Sequence, residues 1–257
     1  MEISKYLKTA QMTLQGQTNG GIIYLLPNIL VQLIYLIPLL FLWRVVMGSG
    51  VSVGMSITQM LTYTYVNALL SEMLVVRTAA SQWCYEGLLI NLYMRPIGIF
   101  GHLISQTIGG WIPMLFAFSI PMALIAPLFK ISILPVSIWF FPSLLLCISL
   151  GFAIDFLFAC LAIKLKNMSW LIYVIRMAIV SLFSGTVIPF KLLPFGLDKI
   201  FTLQPFGSLG GAPLSIFTGI SKPMEIIMLQ LFWNIILWPL AILIFKKSQE
   251  GMMSYGG

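Results

Sequence analysis

Charge is scarce in this sequence: 8% of its 257 residues are Asp, Glu, Lys or Arg. Soluble domains carry about 25%. So few charges cannot cover the surface of a water-soluble fold. With 60% hydrophobic residues, a soluble globular enzyme, a disordered chain and a fibre are all excluded. Histidine occurs once, at His102, and one imidazole cannot assemble a metal cluster. Cysteine occurs three times, with no even framework and no CxxC spacing. Cys84 reads as a free thiol in a loop, and Cys147 and Cys160 as free thiols in a span. There is no GxxxxGK[ST] phosphate loop, no HExxH, no GxSxG and no EF-hand pattern. No catalytic constellation is present, and the chain is read as a non-enzyme that binds no cofactor of its own. No secretory signal is expected, because the basic start precedes an overlong apolar run without an A-x-A site. Asn167-Met168-Ser169 matches the glycosylation pattern but falls on the side assigned below to the cytoplasm.

Long apolar runs are what the sequence does have, and its mean hydropathy is +1.01. At about 20 apolar residues per crossing, the length holds about six helices and no sizeable soluble domain. The expected fold is therefore an all-α membrane protein, a single domain over 1–257. Its spans are expected at about 22–43, 57–76, 100–126, 136–163, 170–188 and 224–245. Pro27 and Pro38 are expected to bend the first, and Pro113 and Pro121 lie in the third. Ahead of the first span, Ile3, Tyr6, Leu7, Ala10 and Leu14 recur at helical spacing. They predict a short amphipathic helix on the membrane surface. Residues 189–223 are rich in Pro, Gly and Phe, moderately apolar, and too broken to span.

The 14 basic residues outnumber the 7 acidic ones, but they are scattered singly, which argues against nucleic acid. They set orientation instead. With six spans, Lys5, Lys8, Arg77, Arg95, Lys164, Lys166, Lys246 and Lys247 share the side of both termini. Arg44, Lys130, Lys191, Lys199 and Lys222 face the other. The excess puts both termini in the cytoplasm. Asp155 and Arg176 remain inside the membrane, each about 13–15 Å from the tight hairpin that joins their spans. They can meet at one depth. Such a pair either holds the hairpin structurally or serves as a polar path lining or latch, and spacing does not separate these roles. Glu72 and Arg77 read as a near-interface ion pair, Glu225 as a helix N-terminal charge, and His102 as an interface residue.

The loop 78–96 reads TAASQWCYEGLLINLYMRP. Trp83, Gly87, Leu88, Ile90, Asn91 and Met94 suggest a short amphipathic helix, stopped at Arg95-Pro96. It either docks on a soluble partner or lies on lipid.

Three motifs in order carry a resemblance. Glu86 to Ile97 resembles the E-x-G-x-L-x-x-x-L-x-R-P-I element of type-2 ABC transporter permeases. Ser184-Gly185-Thr186-Val187-Ile188-Pro189 through Pro194, followed by Leu203-Gln204-Pro205-Phe206, is similar to that family's element after the fifth span. The tail Glu250 to Gly257, ending in Gly-Gly, resembles one bacterial branch, though it is less basic than that branch. The resemblance implies a cytoplasmic coupling helix in 78–96, with Glu86, Gly87, Leu89, Met94, Arg95 and Pro96 meeting an ATPase. It implies re-entrant outer-leaflet helices in 189–223, around Gly185, Pro189, Pro194 and Pro205. The N-terminal helix would also touch the ATPase. The implied function is the permease subunit of a bacterial plasma-membrane exporter. ATP and Mg would sit on separate soluble ATPase subunits, with a second permease chain, like or unlike, completing the assembly. The cargo class would be an amphiphile, peptide, drug or lipid. A stand-alone ion-coupled transporter is the alternative. It would want paired midplane carboxylates or inverted repeats, and Asp155 is the single candidate. A lipid-transferring membrane enzyme would need more than His102 and Glu72.

Overall fold

The computed structural model describes residues 2–49, 54–80, 83, 92, 97–165 and 169–255. Among them the chain is helical, with no strand. Four helices are long and apolar enough to cross a membrane: Ile23–Gly48, Ile99–Phe129, Phe140–Ala162 and Pro223–Ser248. The elements used below are α1 (Glu2–Thr18), α2 (Leu26–Gly48), α3 (Ile57–Leu69), α4 (Ser71–Leu74), α5 (Ile99–Met114), α6 (Ile120–Ile125), α7 (Phe140–Lys164), α8 (Ser169–Phe183), α9 (Leu197–Leu203), α10 (Gly211–Phe217) and α11 (Pro223–Tyr255).

The second and fifth expected spans differ from that expectation. α3 has 13 residues and α8 has 15, about 20 Å of helix each against a hydrocarbon core of about 30 Å. α3 breaks at Leu70, where φ is −106° and ψ 11°. Polar groups from other helices occupy the break. Ser119 Oγ donates to the Leu69 carbonyl at 2.6 Å, and Gln32 Nε2 donates to Ser71 Oγ at 2.9 Å. The carbonyls freed at a helix end must find such partners. The start of α3 is fixed locally. Gln59 N donates to Ser56 Oγ, and Ser56 N donates to Gln59 Oε1, a reciprocal cap.

Proline acts differently at its several positions. Pro27 sits in the first turn of α2, directly after a 3-10 turn at Ile22–Leu25 in which the Leu26 N–H takes the Ile23 carbonyl that Pro27 cannot reach. Pro38 is interior. Pro121 has no N–H to offer the Ala117 carbonyl, and the helical run after α5 loosens into a π-turn at Leu115–Ser119 before α6.

α1 is a helix, but it lies along α5. Gly101 faces the Tyr6 ring, Gly109 the Ala10 backbone and Gly110 the Gln17 amide, so the two helices run in the same direction. The half-buried side includes Tyr6, Ala10 and Leu14, while Ile3 and Leu7 are 75% and 66% exposed. The expected apolar face is thus split. Close backbone approach over small residues, not apolar area, selects the packed side. His102, in the first turn of α5, is 4% exposed and its ring centroid lies 6.1 Å from that of Trp83.

The main apolar core is built on α7 and α11, with Phe156, Leu150, Ala241 and Phe245 fully buried. A polar ladder crosses the same interface. Gln230 accepts from Ser143 Oγ at 2.8 Å and donates to the Ser143 and Ser208 carbonyls at 3.1 and 2.9 Å. One turn on, Asn234 donates to the Leu146 carbonyl at 3.2 Å, and the Trp238 indole donates to Ser149 at 2.8 Å. Interhelical bonds of this kind are worth about 0.6 kcal/mol each on average. Gln230→Leu is expected to lower stability by about 1–2 kcal/mol, read as the unfolding midpoint in detergent. Cys147 and Cys160 are buried free thiols; Cys84 lies outside the described residues.

Candidate functional site

Asp155 and Arg176 meet. Asp155 is four residues after Gly151 on α7, so both present one face. Gly151 leaves room for the Val76 side chain, since a Cβ there would meet Val76 Cγ2 at 2.7 Å. That brings the extended segment Val76–Thr78, which leaves α4, down onto Asp155. Asp155 Oδ1 lies 2.8 Å from Arg176 Nη1 of α8. Its Oδ2 accepts from the Thr78 backbone N at 3.0 Å and from the Thr78 hydroxyl. Arg176 Nη2 donates to the Val76 carbonyl. The carboxylate and guanidinium are 2% and 5% exposed at the residue level. Two opposite charges, charge-assisted bonds and backbone partners together offset much of the cost of burying either ion. Arg176 Nε has no hydrogen-bond partner among the described residues.

Arg77, between the two gripped residues, points outward. It donates to the Tyr173 hydroxyl at 3.2 Å and stands 3.6 Å from Glu72. Tyr173 and Arg176 are one turn apart on α8, so both contacts tie the same helix to residues 76–78. Thr78 Oγ1 also accepts from Ala80 N at 3.1 Å. Ala80 and Leu92 belong to the main core. Six residues expected to meet an ATPase, Glu86, Gly87, Leu89, Met94, Arg95 and Pro96, lie outside the described residues, as do residues 166–168 of the hairpin.

Residues 189–223 form short helical pieces: 3-10 turns at Phe190–Leu192 and Pro205–Ser208, with α9 and α10. Gly185 takes a left-handed φ of 74°, and its carbonyl accepts from the buried Tyr63 hydroxyl at 2.6 Å. Pro189 precedes the first 3-10 turn, Pro194 is exposed, and Pro205 opens the second turn. Gly211 N donates to the Ser184 carbonyl at 2.7 Å, and a Cβ at Gly211 would stand 2.4 Å from that oxygen. Glu225, in the first turn of α11, pairs with Lys222 at 3.6 Å on an exposed face.

Sequence reasoning missed Thr78 and Val76, which contribute backbone groups and a hydroxyl that no spacing rule marks. It also missed Gln230 and Asn234. Two amides one turn apart inside an apolar helix are a legible signal of interhelical bonding. No protein-family model, no curated protein and no solved structure matches this chain.

Proposed function

We propose that this chain is the permease subunit of an ATP-driven exporter in a bacterial plasma membrane. Six crossings place both termini in the cytoplasm. The second crossing joins α3 to α4, and the fifth extends α8 through the turn after Phe183. ATP and Mg are handled by separate soluble ATPase subunits, which dock on a coupling helix within 78–96. A second permease chain completes the transport unit, and the exposed apolar side chains of α2, such as Ile34, Phe41 and Val45, suit lipid or that second chain.

The observation that carries this reading is the clasp at the root of the loop. Val76 and Thr78 are held by Arg176 and Asp155. A loop hinged on free backbone would absorb a push from an ATPase. A loop rooted in two helices passes displacement to α7 and α8, because packed interfaces shift between discrete arrangements instead of deforming smoothly. The Glu86–Ile97 motif supplies the docking chemistry in sequence.

The test is co-purification of the tagged chain from its host in mild detergent. A stoichiometric partner with a GxxxxGK[ST] loop is expected, and Leu89→Pro is expected to release it, since proline breaks a short helix at a cost of about 3 kcal/mol. A chain that emerges alone and monodisperse overturns the proposal. Proton or sodium dependence at Asp155 is then the measurement to make.

A further inference from the structure

The segment 189–223 is too apolar for a surface loop and too broken to span, and it encloses a cavity. The hollow measures about 420 Å³ and lies between Tyr63, the short helical pieces and the start of α11. Pockets for small ligands run from about 300 to 1,000 Å³ and are mostly apolar with a few placed polar groups. Its apolar wall includes Phe190, Leu203, Ala212, Ile226 and Leu229. The wall is rigid where glycines let backbone touch backbone: a Cβ at Gly207 would stand 2.1 Å from the Phe201 carbonyl oxygen.

The charges on this cavity are lopsided. Lys191, Lys199, Asp198 and Glu225 line it. Glu225 is engaged by Lys222 at 3.6 Å. Lys191 and Lys199 make no ion pair among the described residues. With Lys222 beside Glu225, the rim carries three lysines against two carboxylates. Ser208, also in the wall, is 1% exposed, and its Oγ has no hydrogen-bond partner among the described residues. Its carbonyl is anchored by Gln230 at 2.9 Å, so the residue is fixed in place.

We infer that this cavity is a binding site for an anionic amphiphile. The apolar body lies between Phe190 and Leu229, and a phosphate or carboxylate head is held by Lys191 and Lys199. Lysine stems cover apolar surface while their ammonium groups stay at the wet rim, which suits the boundary between tail and head. The site requires no ATPase and goes beyond the exporter reading.

The test uses the full chain in phosphatidylcholine nanodiscs and titrates dodecyl phosphate by calorimetry. Saturable binding of one molecule per chain is expected. Lys191→Glu with Lys199→Glu, both exposed positions, is expected to weaken it roughly tenfold and to create binding of dodecylamine, with the unfolding midpoint unchanged. A second arm replaces part of the lipid with phosphatidylglycerol. Lost dodecyl phosphate binding then identifies the bilayer as a source of the anionic amphiphile, and unchanged binding identifies a free one; both support the assignment. Two results overturn it. Inorganic phosphate binding as tightly as dodecyl phosphate removes any role for the apolar wall. Equal affinity in the double variant removes the lysines. Neither bears on whether the chain binds an ATPase.

Discussion

Asp155→Ala is expected to cost the folded chain about 3–5 kcal/mol, because it leaves the Arg176 guanidinium buried without its counter-charge. Arg176 is 5% exposed and cannot swing into water without unpacking α8. The Thr78 N–H and hydroxyl lose their acceptor in the same step. Adding Arg176→Ala removes the stranded charge, so the double variant is expected to be more stable than Asp155→Ala alone. What it does not restore is the partner of the Val76 carbonyl. Unfolding midpoints of the four proteins in one detergent give the coupling energy directly. A double variant worse than either single change would mean that the two side chains act independently, and the clasp would be the wrong description. Thr78→Val separates structure from transmission. It keeps the backbone donor and removes one hydroxyl, about 1 kcal/mol. If the chain is the exporter subunit proposed above and the root of the loop carries the stroke, Thr78→Val is expected to reduce transport-coupled ATP hydrolysis by the partner while leaving the melting midpoint nearly unchanged.

Neighbouring glycines on α5 are expected to respond with opposite signs. A Cβ at Gly109 would stand 2.3 Å from the Ala10 carbonyl oxygen and 2.8 Å from its Cα. Both are backbone atoms and neither can turn aside. Gly109→Ala is expected to cost about 1–3 kcal/mol as overpacking and to lift α1 off its seat. At Gly110 the nearest atom is the end of the Gln17 side chain at 3.2 Å, which can rotate away. There alanine gains helix propensity, up to about 1 kcal/mol, and loses little. Trypsin cleavage after Lys5 and Lys8 reports the state of α1. It is expected to accelerate in Gly109→Ala and to stay unchanged in Gly110→Ala. Equal behaviour of the two would mean that α1 does not rest on α5.

Four long apolar helices were readable from hydropathy alone, since a run of some twenty apolar residues has few other fates. The shortening of the second and fifth was not. Leu70 and Phe183 look like mid-span residues in sequence; the break at Leu70 is filled by hydroxyls and an amide from other helices. Such partners become visible only when the helices are in place. The same limit applies to α1. Its apolar periodicity was legible, but the buried side follows where Gly101 and Gly109 admit a backbone, and that information is written about a hundred residues later. That Asp155 and Arg176 could meet followed from counting residues back from one short connection, because helices convert residue number into height. Thr78 escaped because it acts from an extended segment, where no period applies.

The seating of α1 on α5 has a consequence for how the protein is made. Synthesis delivers α1 ahead of Gly101 and Gly109, with two further apolar helices made between them. A nascent α1 therefore has no seat. With Ile3 and Leu7 on one flank and Lys5 and Lys8 close by, its ready resting place is the lipid headgroup layer. α1 is thus free for the bilayer surface until α5 is made, and rests on α5 afterwards. Docking of α1 therefore waits on the synthesis of α5.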